Sequence, residues 1–448
     1  MADLLSSSDA VRFLLEEAVK NGADAAESCS VNTISASAEC RNQKTETLEH
    51  AQTSGVDLRV FCGKRQALVS SSVFEKGTLK ELAERAVQMA KNVPEDPFCG
   101  PADPSLLATE FPDPDVYDGS EHDTQQLLDL ALAAEDAALS VKGVTLSDGA
   151  GAGIEKSDII TASTTGFYRE HKRSSASFSV CVIAGNDEQG KETDYDYSSA
   201  VYFSDLESPE VIGKKAGERA VKQLNPIKIA SQTMDVVFEP RLARGLIGVL
   251  TGAINGFSIA RGTSFLKDRL HKEVLPEGLT LLEDPFKKRG GASRACDAEG
   301  LPCRPQALVE NGVLQTWLLD LHSARQLKMT PNGHASRGLG GTPRPGASNL
   351  VLNGGNISPK EMISGIKNGL YITQLFGQGV NMVTGDYSRG ASGFLIENGK
   401  ITVPVSEITV AGDLKEMFLN LVAADDLDDR YTINVPTLLV PRMSVAGK

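Results

Sequence analysis

Two Asn-Gly pairs constrain this chain more than any other feature. Asn398-Gly399 joins GFLIE to KITVPV, and Asn311-Gly312 joins ALVE to VLQTWLLD. A two-residue hairpin turn demands positive φ at both central positions, which Asn and Gly tolerate best. Each pair therefore predicts two adjacent antiparallel strands, so the C-terminal half must be rich in sheet. The pattern aliphatic-Glu-Asn-Gly at both places follows from shared turn chemistry rather than from an internal repeat.

The N-terminal half mixes periods. Val11, Leu14, Leu15, Ala18 and Val19 form a helical stripe ending near Gly22, and Val56, Leu58, Val60 and Cys62 alternate as a half-buried strand does. Thr78-Leu-Lys-Glu81 reads as a capping box opening a helix to about Lys91. A proline-rich passage, residues 93–114, leads outward to a helix over 124–139; strands follow over 143–203 and a helix over 209–222. Asn225-Pro226 then marks a boundary. The expectation is an α+β protein of two domains: an α/β N-terminal domain, residues 1–224, and a β-rich C-terminal domain, residues 225–448, with short helices over 359–369 and 414–421. At 448 residues and 41% hydrophobic content, two cores are within reach.

The formal charge of -14 repels nucleic-acid backbones and anionic membranes. Two basic runs, YREHKR at 168–173 and FKKRGGASR at 286–294, are short and read as solvated loops. Seven cysteines without regular spacing suit reduced thiols. The opening MADLLSSSDAV lacks the basic start of a secretory signal. The most apolar window, residues 245–260, falls short of the ~20 residues that span a bilayer and is interrupted by Asn255. The expected setting is cytoplasmic, with no membrane and no direct nucleic-acid contact.

Motifs that would carry chemistry are mostly incomplete. GAGAGIEKS at 149–157 has Glu155 where a phosphate loop needs Gly before Lys, and reads as a mobile turn. RGASGF at 389–394 lacks the second Gly of a nucleophile elbow and has no His after it. Cys296 and Cys303, in CDAEGLPC, are too far apart for a zinc knuckle and suit a structural turn. No two of the six histidines stand at i, i+3 or i+4. AADDLDDR at 423–430 lacks the Gly and closing Glu of a calcium loop and reads as a solvated helix end.

Three longer stretches resemble a known family. DAEGLPCRPQALVENGVLQTWLLDLHSARQLKMTPNGHASR, GTPRPGASNLVL and VTGDYSRGASGFLIENGKI are similar to the TldD/PmbA family, once labelled modulators of DNA gyrase and now grouped with metallopeptidases. LFGQGVNMVTGDYSRGASGFLIENGK matches its PmbA branch, also called TldE. The resemblance implies a cytoplasmic assembly in which a TldD-type subunit pairs with a PmbA-type one to cleave small or unfolded peptides. The TldD-type sister carries His-Glu-x-x-x-His and a C-terminal Cys as its zinc site. In the same frame this chain has Thr251, Gly252 and Gly256, on residues 249–266, which read as a helix, and no cysteine after Cys303. Zinc needs thiolate, imidazole or carboxylate donors.

The chain is therefore expected to bind no cofactor itself, the zinc lying on the TldD-type partner, and to form a homodimer when isolated. Two alternatives stand beside this: a peptidase active alone through His322, His334, Cys296 and Cys303, and a direct regulator of topoisomerase or DNA. Gly245, Gly248, Gly252 and Gly256 make a small-residue line that suits tight packing within the domain better than a groove. Asp386, Tyr387, Ser388 and Arg389, in GDYSRGASG, are the candidate substrate-binding residues.

Overall fold

The computed structural model describes residues 3–187 and 190–448. Its first sheet is built from β1 (Ala25–Arg41), β2 (Lys44–Cys62), β3 (Arg65–Ser71), β4 (Val144–Ser163), β5 (Tyr168–Asn186) and β6 (Gly190–Ala200). They lie in the order β3-β2-β1-β4-β5-β6, antiparallel throughout. Side chains on a strand alternate between faces, and here the two faces have different neighbours. Val56, Leu58 and Val60 share a core with α1 (Ser7–Lys20) and α2 (Lys76–Asn92). Ala36, Ala38, Ala150, Ala152, Phe178 and Val180 share another with α3 (Thr124–Leu139) and α4 (Pro209–Lys222). Odd-numbered positions turn the other way, toward the C-terminal half: Asp57 meets Arg337 at 3.4 Å and Arg59 meets Glu299 at 3.9 Å.

Several local expectations change. GAGAGIEKS is no mobile turn; it runs through the middle of β4, hydrogen-bonded to β1 on one side and β5 on the other. The helix predicted from Thr78 begins at Lys76 behind Glu75, which makes no side-chain cap, so the Thr-Glu box does not form. YREHKR belongs to β5, where Tyr168, Glu170 and Lys172 are exposed while Arg169, His171 and Arg173 are partly buried. The β1–β2 hairpin turns on Asn42 and Gln43, both at positive φ (50° and 60°). Buried Glu135 of α3 holds that turn, accepting from the Asn42 N–H at 2.8 Å and the Gln43 N–H at 2.6 Å.

The C-terminal half contains β7 (Gln232–Phe238), α5 (Pro240–Ala253), α6 (Gly256–Ala260), β8 (Thr280–Asp284), β9 (Gln306–Glu310), β10 (Val313–Leu314) and α7 (Leu321–Leu327). Then come β11 (Ala335–Ser336), β12 (Arg344–Pro345), β13 (Asn349–Asn353), α8 (Pro359–Ser364), β14 (Asn368–Phe376), β15 (Asp386–Glu397) and β16 (Lys400–Asp413). The chain closes with α9 (Leu414–Asn420), β17 (Val422–Ala423), β18 (Ile433–Asn434) and β19 (Leu438–Ala446). One sheet runs β16-β15-β14-β7-β19-β17, and a further pairing of β16 with β19 curls it back on itself. A second runs β10-β9-β8-β13-β18. Both Asn-Gly turns form as expected, with φ of 47° and 83° at Asn311 and Gly312, and 50° and 78° at Asn398 and Gly399.

The helix expected over 359–369 is only α8, because β14 already begins at Asn368. Residues 423–430 are no helix end but a loop following β17, in which Asp426 accepts from the N–H and hydroxyl of Thr437 at 2.8 and 2.7 Å. The proline-rich passage does not lead away from the C-terminal half; Arg325 of α7 donates to the carbonyls of Phe98, Gly100 and Pro101. Among the described residues no helix is long and apolar enough to cross a membrane.

Candidate functional site

Helix α5 starts where proline is tolerated, in the first turn. Ala243, Leu246, Ile247 and Leu250 bury one face in the main C-terminal core. The helix then stops at Ala253. Asn255 caps the separate α6, its Oδ1 accepting from the Phe257 N–H at 3.0 Å while its Nδ2 donates to the Pro345 carbonyl at 2.7 Å. Residues 249–266 are therefore not one helix. An Asn whose side chain is spent capping the next turn cannot continue the preceding one.

The break separates Thr251 and Gly252 from Gly256, the three positions that the family resemblance set against a zinc motif. The Thr251 hydroxyl donates back to its own helix, to the carbonyls of Ile247 (3.1 Å) and Gly248 (2.9 Å). Gly252 has space for a Cβ only up to Met382, 3.4 Å away. At Gly256 a Cβ would sit 2.6 Å from the Leu318 carbonyl oxygen and 2.8 Å from the Ser323 hydroxyl. A spent hydroxyl and two absent side chains do not fit zinc.

What stands beside α5 instead is a groove of about 740 Å³, with Gly245, Gly248 and Gly252 on one side and Arg344, Met382 and Arg389 among the residues opposite. A Cβ at Gly245 or Gly248 would meet nothing within 4 Å. The glycine line thus splits: Gly256 serves tight packing, as expected, whereas Gly245 and Gly248 leave a hollow. Arg344 and Met382 were not singled out from the sequence, since nothing local to either marks it as a groove residue.

Strand alternation also divides the segment GDYSRGASG. Arg389 lines the groove, and Tyr387 points into the core with 3% of its surface exposed. Burial pushes the Tyr387 phenol up to about 12. Among the described residues neither its hydroxyl nor the Arg389 Nε makes a well-formed hydrogen bond, although the guanidinium stands beside the phenol. Asp386 and Ser388 are exposed and do not line the groove; the Asp386 carboxylate accepts from the Thr384 hydroxyl at 2.6 Å.

The four residues of the self-sufficient alternative each have other partners. His334 contacts Glu283 at 2.6 Å and Asn332 at 2.7 Å, and His322 contacts Asp96 at 2.9 Å. The Cys303 thiol donates to the Gly333 carbonyl, and the Cys296 sulfur accepts from Arg169. Burial would raise Glu283, but bonds from His334 and Ser348 outweigh it and hold the carboxyl below its ordinary range. Among the described residues, no three or more His, Cys, Asp or Glu side chains are grouped to hold a metal ion. CDAEGLPC is a turn, in which Asp297 accepts from the N–H groups of Glu299 and Leu301.

The architecture coincides with a known class. Models of the PmbA/TldA metallopeptidase domain 1, central domain and C-terminal domain match residues 26–90, 117–224 and 231–447. The first two of these share the single N-terminal sheet, since β1 pairs with both β2 and β4. Metalloprotease PmbA of Escherichia coli O157:H7 is 34% identical over 455 residues, covering 99% of each chain. The fold superposes on a candidate modulator of DNA gyrase from Bacteroides thetaiotaomicron with a TM-score of 0.90 at 26% identity, over 98% of this chain and 99% of that one. TldE from Thermococcus kodakarensis shares the fold with a TM-score of 0.86 at 20% identity, over 98% and 100%. The chain belongs to the PmbA/TldD metallopeptidase family.

Proposed function

We propose that this chain is the PmbA/TldE-type subunit of a cytoplasmic TldD/TldE-like metalloprotease, catalytically silent itself, that helps a zinc-bearing TldD-type partner enclose small or unfolded peptides. The observation that carries this reading is the state of the three aligned positions. Thr251 spends its hydroxyl on its own helix, Gly252 has no side chain, and Gly256 is sealed against Leu318. Without a metal, water keeps close to its bulk pKa and is a poor nucleophile at neutral pH.

The groove supports a part in peptide binding. Its α5 wall presents backbone rather than side chains, and the under-satisfied Arg389 Nε on the opposite wall suits a peptide carbonyl or carboxylate. The Arg389 assignment is thereby favoured over Asp386 and Ser388, and Tyr387 acts by supporting Arg389 from beneath. All seven cysteines are free, in keeping with a reducing compartment.

The test is reconstitution. Purified alone, the chain is expected to carry no stoichiometric zinc and to cleave no unfolded peptide; mixed with a TldD-type subunit it should co-elute and give chelator-sensitive cleavage. Arg389→Ala should lower turnover of the assembled pair while assembly persists. Stoichiometric zinc with chelator-sensitive cleavage by the isolated chain would overturn the reading.

A further inference from the structure

The two basic runs of the sequence meet in space. Arg169, His171 and Arg173 stand at alternate positions of β5 and so project from the sheet face opposite the helices. Arg294, from the second run, and Arg337 reach the same place from the C-terminal half. All five line one cavity of about 470 Å³ between the halves, completed by apolar side chains such as Ile159 and Phe167.

The positive charge there is only partly answered by the protein. Arg173 donates only to the carbonyls of Ser293 (2.6 Å) and Gly291 (2.7 Å), Arg294 to the carbonyl of Gly346 (2.6 Å), and Arg169 to the Cys296 sulfur (3.5 Å). Arg337 alone of the four forms an ion pair, with Asp57 at 3.4 Å. Asp297 is the one carboxylate on the wall, and it is already held by the N–H groups of Glu299, Leu301 and Ala335. Behind them Arg59 is shared by Glu27 (3.2 Å) and Glu299 (3.9 Å). Counting Arg59, five guanidinium groups face the four carboxylates of Glu27, Asp57, Asp297 and Glu299, and burial, then Asp297, push the Glu299 carboxyl well above its ordinary range.

Among the described residues, three buried nitrogens on this wall, Arg337 Nη1, Arg294 Nε and His171 Nδ1, have no oxygen or nitrogen partner, and only the Cys29 and Cys303 sulfurs stand by Arg337 and Arg294. The Arg337 side chain is only 5% exposed. Leaving buried donors unmet is costly, and native proteins seldom do so without a reason. The crowding registers in the neighbours as well: burial, then Arg169 and Arg173, push His171 down to about 3, and burial, then Arg294 and Arg169, lower Arg173.

We propose that this cavity binds a small dianionic oxyanion, a phosphate group or a dicarboxylate, held by Arg169, Arg173, Arg294 and Arg337. Guanidinium forks match such oxygens in geometry as well as charge. A bound anion would offset the surplus of guanidinium charge, the under-satisfied nitrogens would gain an acceptor, and the apolar wall would accommodate a carbon skeleton. The site is separate from the α5 groove and stands whether or not the chain works with a partner subunit.

Titration calorimetry of the full chain in chloride buffer, with inorganic phosphate and with succinate, tests this. One equivalent of either is expected to bind, and the tighter of the two identifies the source of the oxyanion. The double variant Arg169→Gln/Arg173→Gln should bind at least about tenfold more weakly, since each charge-assisted bond lost is worth that much. Lys172→Gln, on the exposed face of the same strand, should bind as the parent does. Should the double variant fail to fold, phenylglyoxal labelling of the unaltered chain gives the same answer: the bound anion should protect Arg169, Arg173 and Arg294 but not exposed Arg85. Binding of neither probe, equal binding by the folded double variant, or labelling that the anion leaves unchanged would overturn the proposal.

Discussion

The groove beside α5 and the cavity between the two halves are both concave, and they are hollow for opposite reasons. In the groove, space exists because side chains are missing: Gly245 and Gly248 present bare backbone. In the cavity, space exists among side chains that are present and charged but only partly satisfied. Bare backbone on the α5 side gives the groove its shape, and its charged side chains, Arg344 and Arg389, come from elsewhere in the chain. Partly answered guanidinium groups give chemistry without a substrate, so the cavity calls for a ligand of opposite charge.

The comparison breaks most readily at Gly256, where the glycine line stops being a groove wall. A methyl there would lie 2.6 Å from the Leu318 carbonyl oxygen and from Leu319 Cδ2. Gly256→Ala is expected to destabilise by about 3 kcal/mol, the upper range for overpacking, because a backbone carbonyl cannot rotate away as a side chain can. Chemical unfolding measures it. A cost under ~1 kcal/mol would mean that α6 can shift, and that the position was left open rather than sealed.

His171 sharpens the other side of the comparison. Its folded pKa, about 3, lies below the ordinary 6.5. As pH falls below 6.5 the unfolded chain takes up a proton that the folded chain refuses, so stability present above 6.5 is lost on acidification toward 3. Asp297, raised by burial to about 6, works in the opposite direction and is common to parent and variant. Relative to His171→Asn, the parent should lose roughly 2 kcal/mol between pH 7 and pH 5. Parallel stability curves for the two would show that the cavity is wet enough to solvate an imidazolium. Phosphate, if bound beside the ring, should flatten the parent's slope.

How far each region could be read from the sequence follows the same division. The Asn-Gly hairpins, the α3 and α4 boundaries and four of the five stripe positions of α1 were legible because each is fixed by residues within a few positions of one another; the fifth, Val19, is half exposed. The Asn42-Gln43 turn was not, since it lacks glycine and is stabilised by Glu135, over ninety positions away. That Thr251, Gly252 and Gly256 carry no imidazole, thiolate or carboxylate is a matter of residue type and was plain from the start. Their separation into two helices was half legible: Asn255 before Gly-Phe is a cap signal, but apolar spacing on both sides masked it. The basic runs failed for a deeper reason. Alternation in YREHKR marks Arg169, His171 and Arg173 as one face, yet only the C-terminal half, folded against that face, turns it from a solvated surface into a cavity wall.

The smallest effect tests the groove itself. Gly248 lies within α5, and a Cβ there would touch nothing within 4 Å. Alanine in place of a helical glycine reduces the freedom of the unfolded chain and favours the helix, so Gly248→Ala should stabilise the isolated protein by about 0.5–1 kcal/mol. The sign is what matters. With the groove open, the methyl enters solvent and the gain appears in full, opposite in direction to Gly256→Ala, which lies beyond the helix break at Asn255. A loss would mean that another part of the chain occupies the hollow in solution, and that the wall opposite Arg389 is a packing surface after all.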